Sequence, residues 1–233
     1  MPRVTHQLDP QFAALDLALL QDAALSTCRA FNATYACMRV QQIKTRVLHL
    51  RDQQVETSLD HRDLGVGVRV VVDGAWGFAA TSSLTPEAVR RAARRACELA
   101  QRCAGLPGPR VQIAEEPVAR GTHISSYAVD PFDVPVAQMV DVLRDRAGLM
   151  QGLDHTSVSL ECAKETVFLA DLAGAEIRQQ RVRLYPVYTG VRITADGFDD
   201  MSTIAAPVGR GWEYCLDGYD WEAELTALPG LLD

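Results

Sequence analysis

An α+β fold built from a duplicated unit, each copy a helix plus antiparallel strands in twisted sheet flanked by helices, is what this chain predicts. Three observations carry that expectation. Apolar residues recur at helical spacing in separate stretches, and β-branched runs between them alternate as strands do. A strand-like run is followed twice by Asp-Gly, at Asp73-Gly74 and Asp196-Gly197, a strong two-residue hairpin pattern. The octet Gly67-Val68-Arg69-Val70-Val71-Val72-Asp73-Gly74 is matched by Gly190-Val191-Arg192-Ile193-Thr194-Ala195-Asp196-Gly197, after elements in the same order of helix, strand, strand, strand. One shared octet is also what coincidence among β proteins would leave, so the order and direction of the strands decide between the two.

The elements follow in order. Asp9-Pro10 caps a first helix over 10–31, with Leu15, Leu17, Leu19, Leu20, Ala23, Ala24 and Cys28 as its broad apolar face. Stretches 36–50 and 54–60 read as paired strands joined at Arg51-Asp52-Gln53, and a further strand over 64–72 turns at Asp73-Gly74 into 75–81. Thr85 then caps a helix that places Val89, Ala92, Ala93, Ala96 and Leu99 inward and stops at Gly105. Turn-forming residues concentrate between 106 and 133, including Pro107-Gly108-Pro109 and Asp130-Pro131. This divides the chain into a unit over 1–110, a linker over 111–133 and a second unit over 134–233. That second unit has a helix over 134–151, through Val136, Met139, Val140, Leu143 and Ala147, then strands near 156–169, 175–184 and 187–195. The stretch from Trp221 to Asp233 begins amphipathically and breaks at Pro229-Gly230, which reads as a truncated element.

Composition narrows the function. The 233 residues are 48% hydrophobic with 6% aromatics, which fits a packed core, and a net charge of -7 would repel a phosphate backbone. The one basic cluster, Arg90, Arg91, Arg94 and Arg95, lies opposite the apolar side of its helix and reads as a solvated face, so nucleic acid is not an expected partner. The opening residues Met1 to His6 lack a signal peptide's apolar core, and no apolar run approaches the roughly 20 residues of a membrane span, so a cytoplasmic protein without membrane contact is expected. None of the six cysteines forms a Cys-x-x-Cys pair, and most read as small buried hydrophobes.

The search for chemistry returns little. His6, His49, His61, His123 and His155 are dispersed, with no pair spaced to share a helix face around a metal. Asp60, His61 and Asp63 could offer an oxygen-nitrogen ligand set, though a polar turn before a strand would use the same residues for solvation, and Asp154-His155 reads the same way. No nucleophile, base and orienting group are marked as a trio. Gly65-Val66-Gly67 leads into a strand rather than a helix, which leaves no helix N-terminus for a phosphate and favours a strand glycine. Trp76 and Phe78 sit beside a turn as large apolar groups, where they either bind an extended peptide or fill the core.

The tract from Gly65 through Leu84, followed by Thr85-Pro86-Glu87-Ala88-Val89-Arg90-Arg91-Ala92, is more distinctive than its parts. It resembles the N-terminal half of the TldD/PmbA family, bacterial and archaeal proteins linked to metal-dependent peptide cleavage and to modulation of DNA gyrase. Arg39-Val40-Gln41-Gln42, Leu50-Arg51-Asp52 and Gly211-Trp212-Glu213 add looser matches, so that the resemblance runs from about residue 10 to 215 in the family's order. It implies a non-catalytic half or subunit of such a peptidase, contributing to peptide binding and assembly, with Trp76 and Phe78 as the peptide-binding candidates. The family's zinc-binding His-Glu-x-x-x-His helix has no counterpart here, so no catalytic residue, metal ligand or cofactor is expected in this chain. Zinc is expected in a C-terminal half or a partner TldD/PmbA-type subunit, and an oligomer acting on a peptide substrate follows. The chain would be a truncated TldD-like subunit, a natural half-protein or an isolated N-terminal region. The alternative is a stand-alone peptide- or partner-binding module with no proteolytic role. Self-association is expected if Leu225, Leu228, Leu231 and Leu232 stay exposed at the chain's end, and a monomer if that segment folds back.

Overall fold

The computed structural model describes residues 7–232, so His6 and the rest of the opening hexapeptide, together with Asp233, lie outside the described residues. Asp9 caps α1 (Pro10–Ala13) by accepting the amides of Gln11 and Phe12 at 3.1 and 3.4 Å. The expected helix over 10–31 is two helices, because Asp16 takes the amide of Leu19 at 3.1 Å and caps α2 (Leu17–Ala30) afresh. β1 (Tyr35–Arg51) and β2 (Gln54–Val72) form a long hairpin across Asp52-Gln53, both at positive φ (46° and 64°). The strands expected at 54–60 and 64–72 are one. The polar residues between them form no turn, because their charges are met across the ladder: Asp60 lies opposite Arg46, and Arg62 donates to Gln42 at 2.6 Å. Asp73 (φ 49°) and Gly74 (φ 72°) then turn the chain into β3 (Ala75–Thr81) as expected. α3 (Pro86–Ala104) follows, capped by the Thr85 hydroxyl on the Ala88 amide at 3.3 Å. It packs so closely that a Cβ on Gly77 would overlap the Ala96 carbonyl oxygen and stand 2.9 Å from the Ala100 nitrogen.

The second half repeats this plan. β4 (Arg120–Ile124) comes from the stretch read as a linker, and α4 (Val136–Ala147) is shorter than expected. β5 (His155–Asp171) and β6 (Glu176–Thr194) form another long hairpin, in which the expected strands 175–184 and 187–195 run together. Pro186 is tolerated inside β6 because it lies between the stretches paired to β4 and to β7 (Gly197–Ser202), where the outer side of β6 has no strand partner. The second short turn differs from the expected one by a residue: Thr194 pairs with Gly197, so Ala195-Asp196 turns the chain and Gly197 starts the strand. α5 (Glu213–Leu216), α6 (Trp221–Ala227) and a 3-10 turn (Leu228–Leu231) end the described chain.

All seven strands join one sheet in the order β3-β2-β1-β5-β6-β4, with β7 also on β6. β1 and β5, 17 residues each, run antiparallel at its centre, and each is followed outward by a 19-residue strand and a short return strand. The halves are therefore related by a local two-fold axis through the β1–β5 seam, which is the strand order and direction that duplication requires. Helices cover one face only. α2 and α3 close one apolar core over β1–β3, around Met38, Val68, Val89 and Phe168, while α4, α5 and α6 close a second over β5 and β6, around Leu48, Met139, Leu160 and Trp221. The end of the described chain folds back, with Leu225 and Leu228 buried and Leu231 exposed, so the expectation of an open leucine-rich tail is corrected. Arg90, Arg91, Arg94 and Arg95 are exposed, as a solvated helix face should be.

Between the two cores the covered face turns polar. Lys44 and Lys164 stand directly opposite each other, at the same place in β1 and β5. Two Asp-Pro pairs, one from each half, supply the opposing charge. Asp9 accepts Lys44 at 2.6 Å with Lys164 at 3.7 Å, and Asp130 accepts Lys164 at 2.5 Å and the Phe132 amide at 3.0 Å. Gln180 accepts the Asp9 amide at 2.7 Å and donates to Tyr127, and Arg46 holds Asp60 through two 2.7 Å bonds while donating to the carbonyls of Pro131 and Val134. Burial alone would raise the Asp9 carboxyl, but Lys44, Gln42 and Lys164 outweigh it and hold the pKa below the ordinary range. A lowered carboxyl stabilises the fold above the unfolded pKa near 4, and that contribution is lost as pH falls through the folded value. Asp9→Asn, which keeps a capping oxygen, should cost about 3 kcal/mol at pH 7 and progressively less below about pH 4. Urea unfolding at pH 7 and pH 3 checks this, and an equal loss at both would show that ionisation is not the source.

Candidate functional site

Among the described residues no helix lies on the opposite face of the sheet. Because side chains alternate along a strand, the residues of β1 at 35, 37, 39, 41 and 43 and their partners on β2 and β5 all point there. Trp76 and Phe78 of β3 belong to this open face, 42% and 58% exposed, so the reading that packs them in the core is corrected. The reason is tertiary: α3 takes the other face of β3 over Gly77 and Ala79. Trp76 meets Tyr35 edge-on at 5.7 Å between ring centres, and the Arg69 guanidinium lies 5.8 Å from the Trp76 ring.

Next to these aromatics, a groove of ≈ 640 Å³ crosses β1, β2 and β3. Its floor is low because β2 has glycine at 65 and 67. A Cβ on Gly67 would come within 3.1 Å of the Phe78 ring, and one on Gly65 within 3.1 Å of the Thr81 carbonyl oxygen. The strand-glycine reading of Gly65-Val66-Gly67 is thus the observed one, and its consequence at Gly67 is room for the Phe78 ring, which walls the groove. Ile43, Leu64, Leu169 and Ala80 add apolar lining, while Arg39, Arg69 and Asp63 supply charge. Glu165, on the neighbouring strand, is 13% exposed and accepts Arg39, Gln41 and Arg183 at 3.0, 2.7 and 3.2 Å.

Nothing in the groove is prepared as a nucleophile. Burial raises the Cys37 thiol above its ordinary range despite the Tyr35 hydrogen bond, so it stays protonated at neutral pH. The Tyr35 phenol is pushed up to about 12, by burial first and then by Cys37. Cys28, Cys97, Cys162 and Cys215 are buried, Cys37 partly so, and Cys103 is exposed.

The candidate metal ligands do not converge. Asp60 points to the covered face and is held by Arg46, whereas His61 and Asp63 point to the open face and pair with each other at 3.0 Å. They lie inside β2 rather than in a turn. His49 pairs with Glu56 at 3.1 Å and His155 with Asp52 at 2.9 Å, while Asp154 accepts the Ile193 amide. Among the described residues no three His, Cys, Asp or Glu side chains gather where they could hold a metal ion. No helix among the described residues is long and apolar enough to cross a membrane.

A one-sided mixed sheet with an aromatic-lined groove on its bare face defines an α+β scaffold. Residues 38–100, from β1 through the groove-forming hairpin into α3, match the family described as PmbA/TldA metallopeptidase domain 1, in agreement with the sequence resemblance. Three solved structures share its fold. A candidate modulator of a DNA gyrase from Thermotoga maritima has a TM-score of 0.66 at 10% identity, over 92% of this chain and 47% of that one. A candidate modulator of DNA gyrase from Bacteroides thetaiotaomicron has a TM-score of 0.65 at 11% identity, over 95% and 50%. TldE from Thermococcus kodakarensis has a TM-score of 0.59 at 12% identity, over 91% and 46%. The chain thus spans about half the length of these structures. No curated protein sequence matches it.

Exposure on the open face sets the cost of losing each aromatic. Trp76→Ala should destabilise the fold by only about 1 kcal/mol, the worth of its edge contact with Tyr35, whereas Trp221→Ala, 1% exposed, should cost about 4 kcal/mol. Chemical denaturation of the two variants measures the difference. Equal losses would mean that Trp76 is part of a covered core.

Proposed function

We propose that this chain is the non-catalytic N-terminal half or subunit of a TldD/PmbA-type metal-dependent peptidase and contributes peptide binding and assembly. The observation that carries this reading is the coincidence of the family's first domain, residues 38–100, with the glycine-floored groove on the open face. Trp76 and Phe78 are the peptide-binding residues on this reading, since exposed aromatics beside an apolar groove give contact area at small entropic cost. The zinc and the hydrolytic water belong to a C-terminal half or to a partner TldD/PmbA-type subunit. The assembly is a cytoplasmic oligomer acting on peptides. A stand-alone peptide- or partner-binding module is the second reading. It is favoured by the way Trp221, Leu225 and Leu228 close the second core from within the chain.

A reconstitution experiment separates the two. The chain is mixed with a TldD-type subunit that carries the His-Glu-x-x-x-His helix, and cleavage of a fluorogenic peptide is followed. The peptidase reading expects faster cleavage with the chain present, and a loss of that gain of about tenfold in a Trp76→Ala, Phe78→Ala double variant. Peptide binding by the chain with no effect on the subunit's cleavage would transfer the conclusion to the stand-alone module. No binding of any peptide and no effect on cleavage would reject the peptidase reading and the peptide-binding form of the second.

A further inference from the structure

The charge around the groove is not balanced, and its imbalance has a direction. Arg69 is exposed, lies on the Trp76 ring and enters no ion pair among the described residues. Arg39 shares the single carboxylate of Glu165 with Arg183, so one negative group serves two guanidinium groups there. Both groove arginines border the place where the Phe78 ring lies over Gly67, because Arg39 is paired across the ladder with Gly67, and Arg69 with Phe78. An apolar slot and two guanidinium groups with donors to spare therefore meet at one point. At the other end, Asp63 is paired among the described residues only with exposed His61, giving the groove the opposite sign. From Arg69 to Asp63 the path along β2 is roughly 20 Å, the span of about six extended residues.

We propose that this groove receives the C-terminal end of an extended peptide whose last residue is large and apolar, its terminal carboxylate held by Arg39 and Arg69 and its side chain placed against the Phe78 ring. A guanidinium fork matches a carboxylate in two parallel hydrogen bonds, and carboxylate capture of this kind is a recurring mode of peptide recognition. A terminal residue suits the site better than an internal Glu or Asp, because its carboxylate and its side chain leave the same Cα and must land within a few ångströms of each other. Upstream residues run toward Asp63, where a basic side chain is favoured.

This inference rests on the peptide-binding reading above, and its test keeps the two apart. Fluorescence anisotropy of the whole chain is measured with three labelled hexapeptides of one apolar sequence ending in Leu: the free acid, the C-terminal amide, and an amide with Glu at the penultimate position. The free acid should bind about tenfold more tightly than the plain amide, the size of one charge-assisted bidentate contact. Arg69→Gln should remove that advantage of acid over amide, and Arg39→Gln should do the same in a second variant. Arg69→Lys should recover only part of it. Equal binding of acid and plain amide would overturn the carboxylate assignment while leaving peptide binding in place. Equal binding of the acid and the Glu-bearing amide would overturn the terminal assignment. Binding of none of the three would overturn both this inference and the peptide-binding reading.

Discussion

The pairing of Lys44 with Lys164 is the constraint on which the rest of the sheet depends. Two ammonium groups facing each other across adjacent strands repel, and burial on the helix-covered face would sharpen the repulsion. The seam between the halves therefore holds only with a carboxylate at each lysine, and the chain supplies them by folding Asp9-Pro10 and Asp130-Pro131 onto the axis. Each aspartate also accepts backbone amides, Gln11 and Phe12 in one case and Phe132 in the other, so charge neutralisation and chain direction are set by the same side chains. Slipping β5 by one residue would send Lys164 to the open face and leave both carboxylates without their shared partner. The seam thus fixes register as well as contact.

That register decides what each face can do. With Lys44 and Lys164 on the covered side, Met38 and Phe168 fall into one core and Leu48 and Leu160 into the other, and the helices of each half have a separate apolar floor. The alternate residues, Tyr35 to Ile43 on β1 and Gly65, Gly67 and Arg69 on β2, are left to the bare face. Gly77 brings α3 down onto β3 on the covered side, which removes any room there for Trp76 and Phe78. The aromatics outside and the helix inside are two results of one close approach.

Features whose cause is local were legible in the sequence. Asp73-Gly74 turns where expected because both residues accept positive φ, and Thr85 caps α3 because its hydroxyl reaches the Ala88 amide. The α+β class and the duplicated order of elements were legible for the same reason. Features whose cause lies across the sheet were not. Residues 60 to 63 read as a turn because four polar residues in a row look solvated, yet Arg46 and Gln42, distant in sequence, satisfy Asp60 and Arg62 in place. The second turn moved by one residue because Thr194 pairs with Gly197, a register that no octet match contains. The repeated Asp-Pro pair is a sign of the axis that the sequence carries without its context: alone, Asp9 reads as a cap and Asp130 as a loop marker, and only the lysines between them show that they are counterparts. Which face of β3 the helices would take, and so whether Trp76 lay in or out, depended on packing that alternation alone leaves open.

On the proposed reading the groove holds a peptide and another body cuts it. The groove's floor is apolar, and that same desolvation keeps the Cys37 thiol and the Tyr35 phenol neutral, so neither serves as a nucleophile at neutral pH. What the groove would offer a peptide is orientation: a basic end, an apolar wall at Phe78 and an acidic end in line along β2. Orientation becomes catalysis only when a hydrolytic group faces the bound chain from the solvent side, because the covered side is filled by α2, α3 and the Asp9 segment. If the chain serves a metal-dependent peptidase, the metal must therefore approach the bare face, and the aromatics on that face would be shared between holding the peptide and meeting the body that carries the metal.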